Sequence, residues 1–335
     1  MDFSKVRDFF ENDVYGKWRE GEKVSFEKVS EDVYRILVDS VSFDVTVKVP
    51  AEDAPRKGKN PFIICMHPIM PVETALKGGI GLIFLDTRGI ASDDYKHDGC
   101  FYELYPYEEG SQTGVLMAWA WAASKVLDAV LNGLGEELGF DPSMSAVTGV
   151  SRWGKATAVC GAFDKRFKMV IPTCSGAGGL ALYSVKSEGK TYDLTAVGGP
   201  SEYTYSQNEP LSCLQSDGER GWFCDKYLDY KTEDAFPYDQ EMLVAMAMSE
   251  DRYYFILAAA MGEDWVNAPS MYECYNRALP YYEKAGLSRH LSIHVHKEGH
   301  AVIEEDMELI IKYFESDIYS SKCDFLCKTP TLYME

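Results

Sequence analysis

Val147-Thr-Gly-Val-Ser151-Arg-Trp-Gly-Lys155 is the stretch whose reading decides the rest of the chain. An apolar run, Met144 to Val147, leads into Gly149-Val-Ser151, and an Ala-rich, helix-compatible segment follows. Strand, sharp turn and helix, with a serine at the turn, is the layout in which a strained backbone lifts a nucleophilic hydroxyl clear of a sheet. One detail departs from Gly-x-Ser-x-Gly. Trp153 holds the place of the second glycine, Gly154 comes one residue later, and a cation, Arg152, follows the serine directly.

Working outward, Pro61-Phe-Ile-Ile-Cys-Met66 and Gly81-Leu-Ile-Phe-Leu85 are short continuous apolar runs, as buried parallel strands require. Residues 34–49 alternate (Val38, Val41, Phe43, Val45, Val47, Val49), the period of half-buried strands. Thr113 to Leu131 reads as a helix with Trp119, Val126, Leu127 and Val130 on its apolar side. Further strands are expected at 146–148, 168–172, 252–260 and 291–295, and a last helix near 303–314. Alternating strands and helices predict an α/β fold: a mainly parallel central sheet, helices on both faces, one domain over residues 1–335. Residues 1–30 read as an N-terminal helical extension, and 53–60, with Pro55 and Gly58, as a polar loop. Residues 180–240 are rich in Tyr, Ser, Gly and Glu and break the rhythm, so a long, lid-like insertion is expected there.

A chain of 335 residues, 46% hydrophobic, can bury a large core. Its net charge of −20 argues against nucleic acid, which needs a basic face. No apolar run is long enough to span a bilayer, so no membrane partner is expected. Met1-Asp-Phe-Ser-Lys-Val-Arg-Asp8 carries no apolar leader core, which places the chain in the cytoplasm as it stands, or outside the cell if a leader has been removed. The nine cysteines contain no Cys-x-x-Cys, and Cys65, Cys160 and Cys174 lie in apolar surroundings; mostly free thiols in a reducing compartment are expected.

Acyl transfer by serine needs a base, an acid to orient it, and donors for the oxyanion. Four of the six histidines follow Ser151. His300, in Lys297-Glu-Gly-His300, falls in a glycine-containing loop after the last strand and is the best base. His294 and His296 lie on the strand and read as structural, and His290 as solvated. The acid should follow a late strand. Residues 253–260 run into Met261-Gly-Glu263-Asp264-Trp265, and both carboxylates fall at the strand's C-terminal end, where active sites of open α/β sheets collect. The choice between Glu263 and Asp264 stays open on these grounds. The backbone N–H of Arg152 and a group from the His67-Pro68 loop are candidate oxyanion donors, and the Arg152 guanidinium adds charge or forms a structural ion pair. Lys155 on the first helical turn opposes the helix dipole and needs a compensating reason, either substrate contact or harmless exposure. No metal or cofactor is called for.

Gly-x-Ser-Arg-x-Gly-Lys is far more specific than Gly-x-Ser-x-Gly, and it resembles the glucuronoyl esterases, carbohydrate esterases of the α/β-hydrolase fold. Asp141 to Lys155, Gly161-Ala-Phe-Asp164, Ile171-Pro172 and Ser175-Gly-Ala-Gly-Gly179 follow that family's core run. Ala118-Trp-Ala-Trp121 with Ser124 and Asp128, Phe236-Pro-Tyr-Asp-Gln240 and Asp264-Trp265 resemble its other landmarks. The resemblance implies Ser151 as nucleophile, Arg152 as oxyanion stabiliser, Lys155 and Glu219 as sugar ligands, and Trp265 as a wall of a uronate pocket. Three departures stand out. Many members carry their acid just before Ser-Gly-x-Gly-Gly, where this chain has Cys174, so the acid must come from the later strand. Some bacterial members place one two residues before the Trp, which favours Glu263. Val150 replaces a cysteine that often precedes the nucleophile, and family members are usually secreted. The implied function is a serine esterase for 4-O-methyl-glucuronate or a related uronate. Its rivals are an acetyl or feruloyl esterase for sugars and a catalytically silent sugar- or protein-binding relative.

Overall fold

The computed structural model describes residues 2–51, 54, 58–109, 112–319 and 333–334. Part of the expected 53–60 loop, Pro55 included, lies outside the described residues, as do Cys323 and Cys327. Strands β1 (Val24–Lys28), β2 (Val33–Val38), β3 (Val41–Lys48), β4 (Asn60–Cys65), β5 (Gly81–Leu85), β6 (Phe140–Val150) and β7 (Met169–Thr173) precede the insertion. Within it lie the short β8 (Thr191–Asp193) and β9 (Tyr203–Thr204), and β10 (Tyr253–Met261) and β11 (Leu291–Glu298) follow. The main sheet has nine strands in the order β1-β2-β3-β5-β4-β6-β7-β10-β11. From β5 to β11 every pairing is parallel, while β1, β2 and β3 form an antiparallel edge joined to β5.

Burial follows the sequence patterns. β3 alternates buried and exposed positions, whereas β4 is buried throughout, as a strand covered on both faces must be. One expectation is narrowed and another corrected. The N-terminal helix expected in residues 1–30 is present but confined to Ser4–Phe9 and a wide turn to Val14, and the segment that follows ends in edge strand β1. Helix α1 (Val115–Ala129) is not amphipathic, since every residue except Asp128 is buried. It lies under the sheet, the insertion and the N-terminal segment at once, so it has no solvent face to mark. Its tryptophans still need hydrogen-bond partners. Trp119 Nε1 donates to the Ala91 carbonyl (3.1 Å) and Trp121 Nε1 to Glu22 (2.8 Å).

Helices α2 (Arg152–Phe163), α3 (Ala268–Lys284) and α4 (Glu304–Tyr319) complete the cover. The 180–240 insertion holds one four-residue helix, four short 3₁₀ turns and the hairpin β8–β9. It packs into the main hydrophobic core, with Tyr183, Phe223, Tyr227, Tyr230 and Phe236 stacked at centroid distances of 4.0–4.5 Å and Phe9 and Tyr15 of the N-terminal segment against them. The stacking fixes the insertion over the C-terminal ends of the parallel strands, so its polar residues can form a stable wall there.

Candidate active site

Ser151 closes β6 and caps α2 with φ 63° and ψ −126°. A β-branched or bulky residue pays for such a conformation, and even serine is held there by its surroundings at a cost of about 1–3 kcal/mol. The restraints are visible. The Ser151 N–H donates to the Thr173 carbonyl (3.0 Å), and the Ser151 carbonyl accepts the Lys155 N–H (3.0 Å). The turn also needs two glycines for closeness. A Cβ on Gly149 would meet the Trp153 carbonyl oxygen at 2.6 Å, and one on Gly154 the Thr173 carbonyl oxygen at 2.4 Å. The shifted glycine is therefore where α2 crosses β7. Trp153 is released to pack between Trp119 (5.8 Å) and His67 (4.2 Å), with its Nε1 donating to Thr87 Oγ1 (2.8 Å).

Beside Ser151 opens a cavity of about 240 Å³ whose walls include Arg152, Lys155, Glu209, Glu219, Trp222 and Trp265. Arg152 donates to Asp93 Oδ2 (2.6 Å) and lies 4.9 Å from the Trp222 ring centre. Trp222 Nε1 donates to the other Asp93 oxygen (2.8 Å), so one carboxylate aims both side chains. Lys155 is buried, not harmlessly exposed. Its Nζ donates to the carbonyls of Ser175 (2.8 Å) and Ala177 (2.6 Å) and to Glu209 Oε2 (2.9 Å). An ammonium has three donor hydrogens, and all three are engaged. Glu209 is thus the compensating partner that the helix-dipole argument required. It lies in the polar insertion, where sequence alone offers many equivalent acids. Glu219 also reaches this cavity. Its Oε2 is buried without a hydrogen-bond partner among the described residues, and burial, then the neighbouring Glu209 charge, raise its pKa against the pull of Lys155 and Arg152.

The adjacent acids Glu263 and Asp264 have different surroundings. Asp264 accepts from Tyr203 Oη (2.6 Å), Ser206 N (2.8 Å) and Ser206 Oγ (2.7 Å). Burial raises its pKa, but these hydrogen bonds outweigh it and the net shift is downward. Its oxygens tie the β9 segment to the end of β10. Glu263 instead faces His300, with Oε2 3.5 Å from Nδ1. That separation exceeds a closed hydrogen bond, and neither atom has another partner among the described residues. Catalytic contacts are often this long before substrate binds. Burial raises the Glu263 pKa. Burial, then the charges of Lys155 and Arg152, lower that of His300, with Glu209 opposing. A neutral imidazole beside a loosely held acid is the state a general base needs. The Trp265 ring lies 6.0 Å from that of His300.

Other expectations fall out plainly. Cys174 is buried with φ 44° and its N–H donates to the Leu257 carbonyl. His294 and His296 are buried against Asp306. His290 is not simply solvated: its Nδ1 lies 2.9 Å from the Arg252 carbonyl and its ring stacks on Tyr253. The cysteines among the described residues are free thiols. Asp93, Trp222 and Glu209 were not singled out from sequence. Trp222 lies three residues after Glu219, but nothing in the pattern marks Asp93 above its neighbour Asp94.

Comparison with known proteins gives the family of the chain. A family model described as "Glucuronyl esterase, fungi" matches residues 37–286. The chain belongs to the glucuronoyl esterase family. It is similar to a multidomain esterase of Ruminococcus flavefaciens, 43% identical over 94% of this chain and 43% of that protein. It is 25% identical to a 4-O-methyl-glucuronoyl methylesterase of Schizophyllum commune, over 74% of this chain and 58% of that one. It thus spans about half the length of these curated relatives. Among solved structures, a carbohydrate esterase family 15 glucuronoyl esterase from Caldicellulosiruptor kristjansonii aligns with a TM-score of 0.85 at 28% identity, over 97% of this chain and 88% of the other. The main sheet and its helices are accordingly those of the α/β-hydrolase fold.

Proposed function

We propose that this chain is a serine esterase that cleaves an ester of 4-O-methyl-glucuronate or a related uronate. The observation that carries the proposal is the strained Ser151 opening onto a cavity walled by Lys155–Glu209, Glu219 and Trp265, with the His300–Glu263 pair flanking Trp265. Ser151 Oγ attacks the ester carbonyl as His300 takes its proton. Glu263 holds the ring and stabilises the imidazolium that forms. The Arg152 N–H, at the first position of α2, and the Arg152 guanidinium face the developing oxyanion, where donors count most. His300 returns the proton to the leaving alcohol, and water then resolves the acyl-enzyme by the same route.

Sugar recognition falls on the carboxylates more than on Lys155. The lysine's donors are already engaged, so its part is to fix Glu209 as an acceptor for a sugar hydroxyl. The unpaired Glu219 oxygen gains a donor when a hydroxyl reaches it, and Trp265 offers a half-exposed face to the ring. A feruloyl group would instead leave the Glu219 oxygen without a donor among the described residues, forgoing about 1–3 kcal/mol that a hydroxyl could supply. The test is turnover of benzyl glucuronate against acetylated xylose and methyl ferulate. Loss of uronate-ester turnover in Ser151→Ala, with the uronate ester the preferred substrate of the unaltered protein, supports the reading. Full turnover in Ser151→Ala would overturn the mechanism. Unchanged uronate turnover in Glu209→Ala and Trp265→Ala would overturn the specificity. A silent binding protein would leave Ser151 unlabelled by a fluorophosphonate, a result that the strain stored at Ser151 argues against.

A further inference from the structure

Behind His300 lies a second histidine–carboxylate pair that the reaction itself does not use. His294 and His296 are two residues apart on β11, so both side chains project from one face of the strand. Both meet Asp306, on the first turns of α4, and all three residues are buried. His294 Nδ1 lies 2.7 Å from Asp306 Oδ1, and His296 Nδ1 lies 3.1 Å from Oδ2. His296 Nε2 lies 3.0 Å from the Gly299 carbonyl oxygen. A carbonyl only accepts, so Nε2 carries a proton. The Asp306 carboxylate is also an acceptor, so Nδ1 carries one as well. The ring is therefore an imidazolium, and Asp306 is its counter-ion. Although burial opposes the charge, hydrogen bonds and Coulomb attraction to Asp306 and Cys174 lift the His296 pKa to about 10.

The partners of this pair are backbone atoms on either side of His300. His296 holds the carbonyl of Gly299, immediately before it, and Asp306 Oδ2 accepts the N–H of Ile303, three residues after it (2.9 Å). Gly299 has φ 114°, so the chain reverses there and needs external restraint to keep one course. The His300 ring itself has little holding it, since Glu263 is 3.5 Å away. The trio brings three ligand atoms within 4.8 Å, as a metal site would. Those atoms already hydrogen-bond one another through both Nδ1 positions, so a cation there would have to displace both Nδ1 protons.

We propose that His296 and Asp306 are positioning residues, an ion pair that clamps both ends of the 299–303 loop and so sets where His300 stands relative to Ser151. The proposal rests on the reading of His300 as base. The experiment uses the full chain with His296→Gln, Asp306→Asn and the conservative Asp306→Glu, and His294→Gln as a control that touches neither end of the loop. Assayed on benzyl glucuronate below their melting temperatures, His296→Gln and Asp306→Asn should lose about 10- to 100-fold in kcat with KM changed less than about threefold, the signature of a displaced reacting group. Their rate of Ser151 labelling by a fluorophosphonate should fall in step. Asp306→Glu should recover part of the loss. His294→Gln should lower the melting temperature and keep kcat within about twofold, because its bond stabilises Asp306 without gripping the loop.

A kcat within twofold of the unaltered protein in folded His296→Gln overturns the clamp. Should the variants not fold, imidazole NMR of the unaltered protein decides: His296 must be doubly protonated at pH 8 while His300 is neutral, and a neutral His296 overturns the proposal. Failure of the underlying reading looks different, as an unlabelled Ser151 in the unaltered protein or an active His300→Ala.

Discussion

Two histidine–carboxylate pairs stand at the same end of the molecule, and they are built to opposite specifications. In His300–Glu263 the nearest atoms are 3.5 Å apart, both side chains are partly exposed, and neither facing atom has a second partner among the described residues. In His296–Asp306 they are 3.1 Å apart, fully buried, and every oxygen and nitrogen is engaged. The charge environments differ as sharply. His300 lies near Lys155 and Arg152, which with burial keep it neutral, whereas His296 has a fixed anion against it and stays charged. The same two side chains thus make a proton acceptor or a rivet. What decides is the number of hydrogen bonds already closed and the sign of the nearest charge.

The largest effect that breaks this comparison is loss of the loose pair. His300→Ala should lower kcat by about 10³- to 10⁴-fold or more, since a serine without its base retains only binding and oxyanion stabilisation. Glu263→Gln keeps the shape and removes the charge that stabilises the imidazolium, so kcat should fall by about 10²- to 10⁴-fold. Steady-state kinetics on benzyl glucuronate measures both. The neighbouring Asp264→Asn should behave otherwise. It loosens the bonds to Tyr203 and Ser206, so it should raise KM and lower the melting temperature, with kcat falling less than about tenfold. If Asp264→Asn costs more in kcat than Glu263→Gln, the assignment of the acid is wrong.

Much of this was legible in the chain, and the boundary is physical. The elbow is local: strand, turn and helix are consecutive, and the glycines at 149 and 154 are demanded by contacts within 25 residues. The parallel strands announce themselves because burial on both faces leaves unbroken apolar runs such as Pro61 to Cys65. By contrast, Glu263 and Asp264 are adjacent and chemically alike. Only the position of Tyr203 and Ser206, folded in from the insertion, claims one and leaves the other for His300. Asp93 and Glu209 were invisible for the same reason. Their partners, Arg152 and Lys155, are 59 and 54 residues away, and an acidic chain offers many carboxylates. Edge strand β1 was missed because Val24 to Lys28 is short and only partly buried, so it carries no clear period.

A smaller effect sharpens the electrostatic half of the contrast. The acid limb of kcat/KM reports His300 in the free enzyme. Because its pKa is lowered, activity should hold as pH drops past the ordinary imidazole value of 6.5 and fall only below it. Lys155→Met removes a cation and frees the Glu209 anion, and both changes favour imidazolium, so the limb should move to higher pH. A limb that moves down or stays put would mean that Lys155 does not act on His300 through charge.

The smallest effect concerns stability, and its sign follows from the raised pKa of His296. The folded state binds the imidazolium proton more tightly than the unfolded chain does. That contribution is complete below about pH 6.5 and is lost as pH rises towards about 10. The groups facing the ring are Asp306, Cys174 and His294, the last with its ring 6.3 Å away. Other groups titrate over the same span, so the useful quantity is the difference between the unaltered protein and His296→Gln. Melting temperatures taken every half pH unit should show that difference greatest near pH 6 and shrinking steadily towards pH 10. His300→Ala should show the opposite trend, confined to the region below about pH 7.5, because a histidine held neutral in the fold takes up its proton more readily in the unfolded chain. A constant gap for His296→Gln would mean that its ring packs as a neutral group, and the two pairs would then differ in tightness alone.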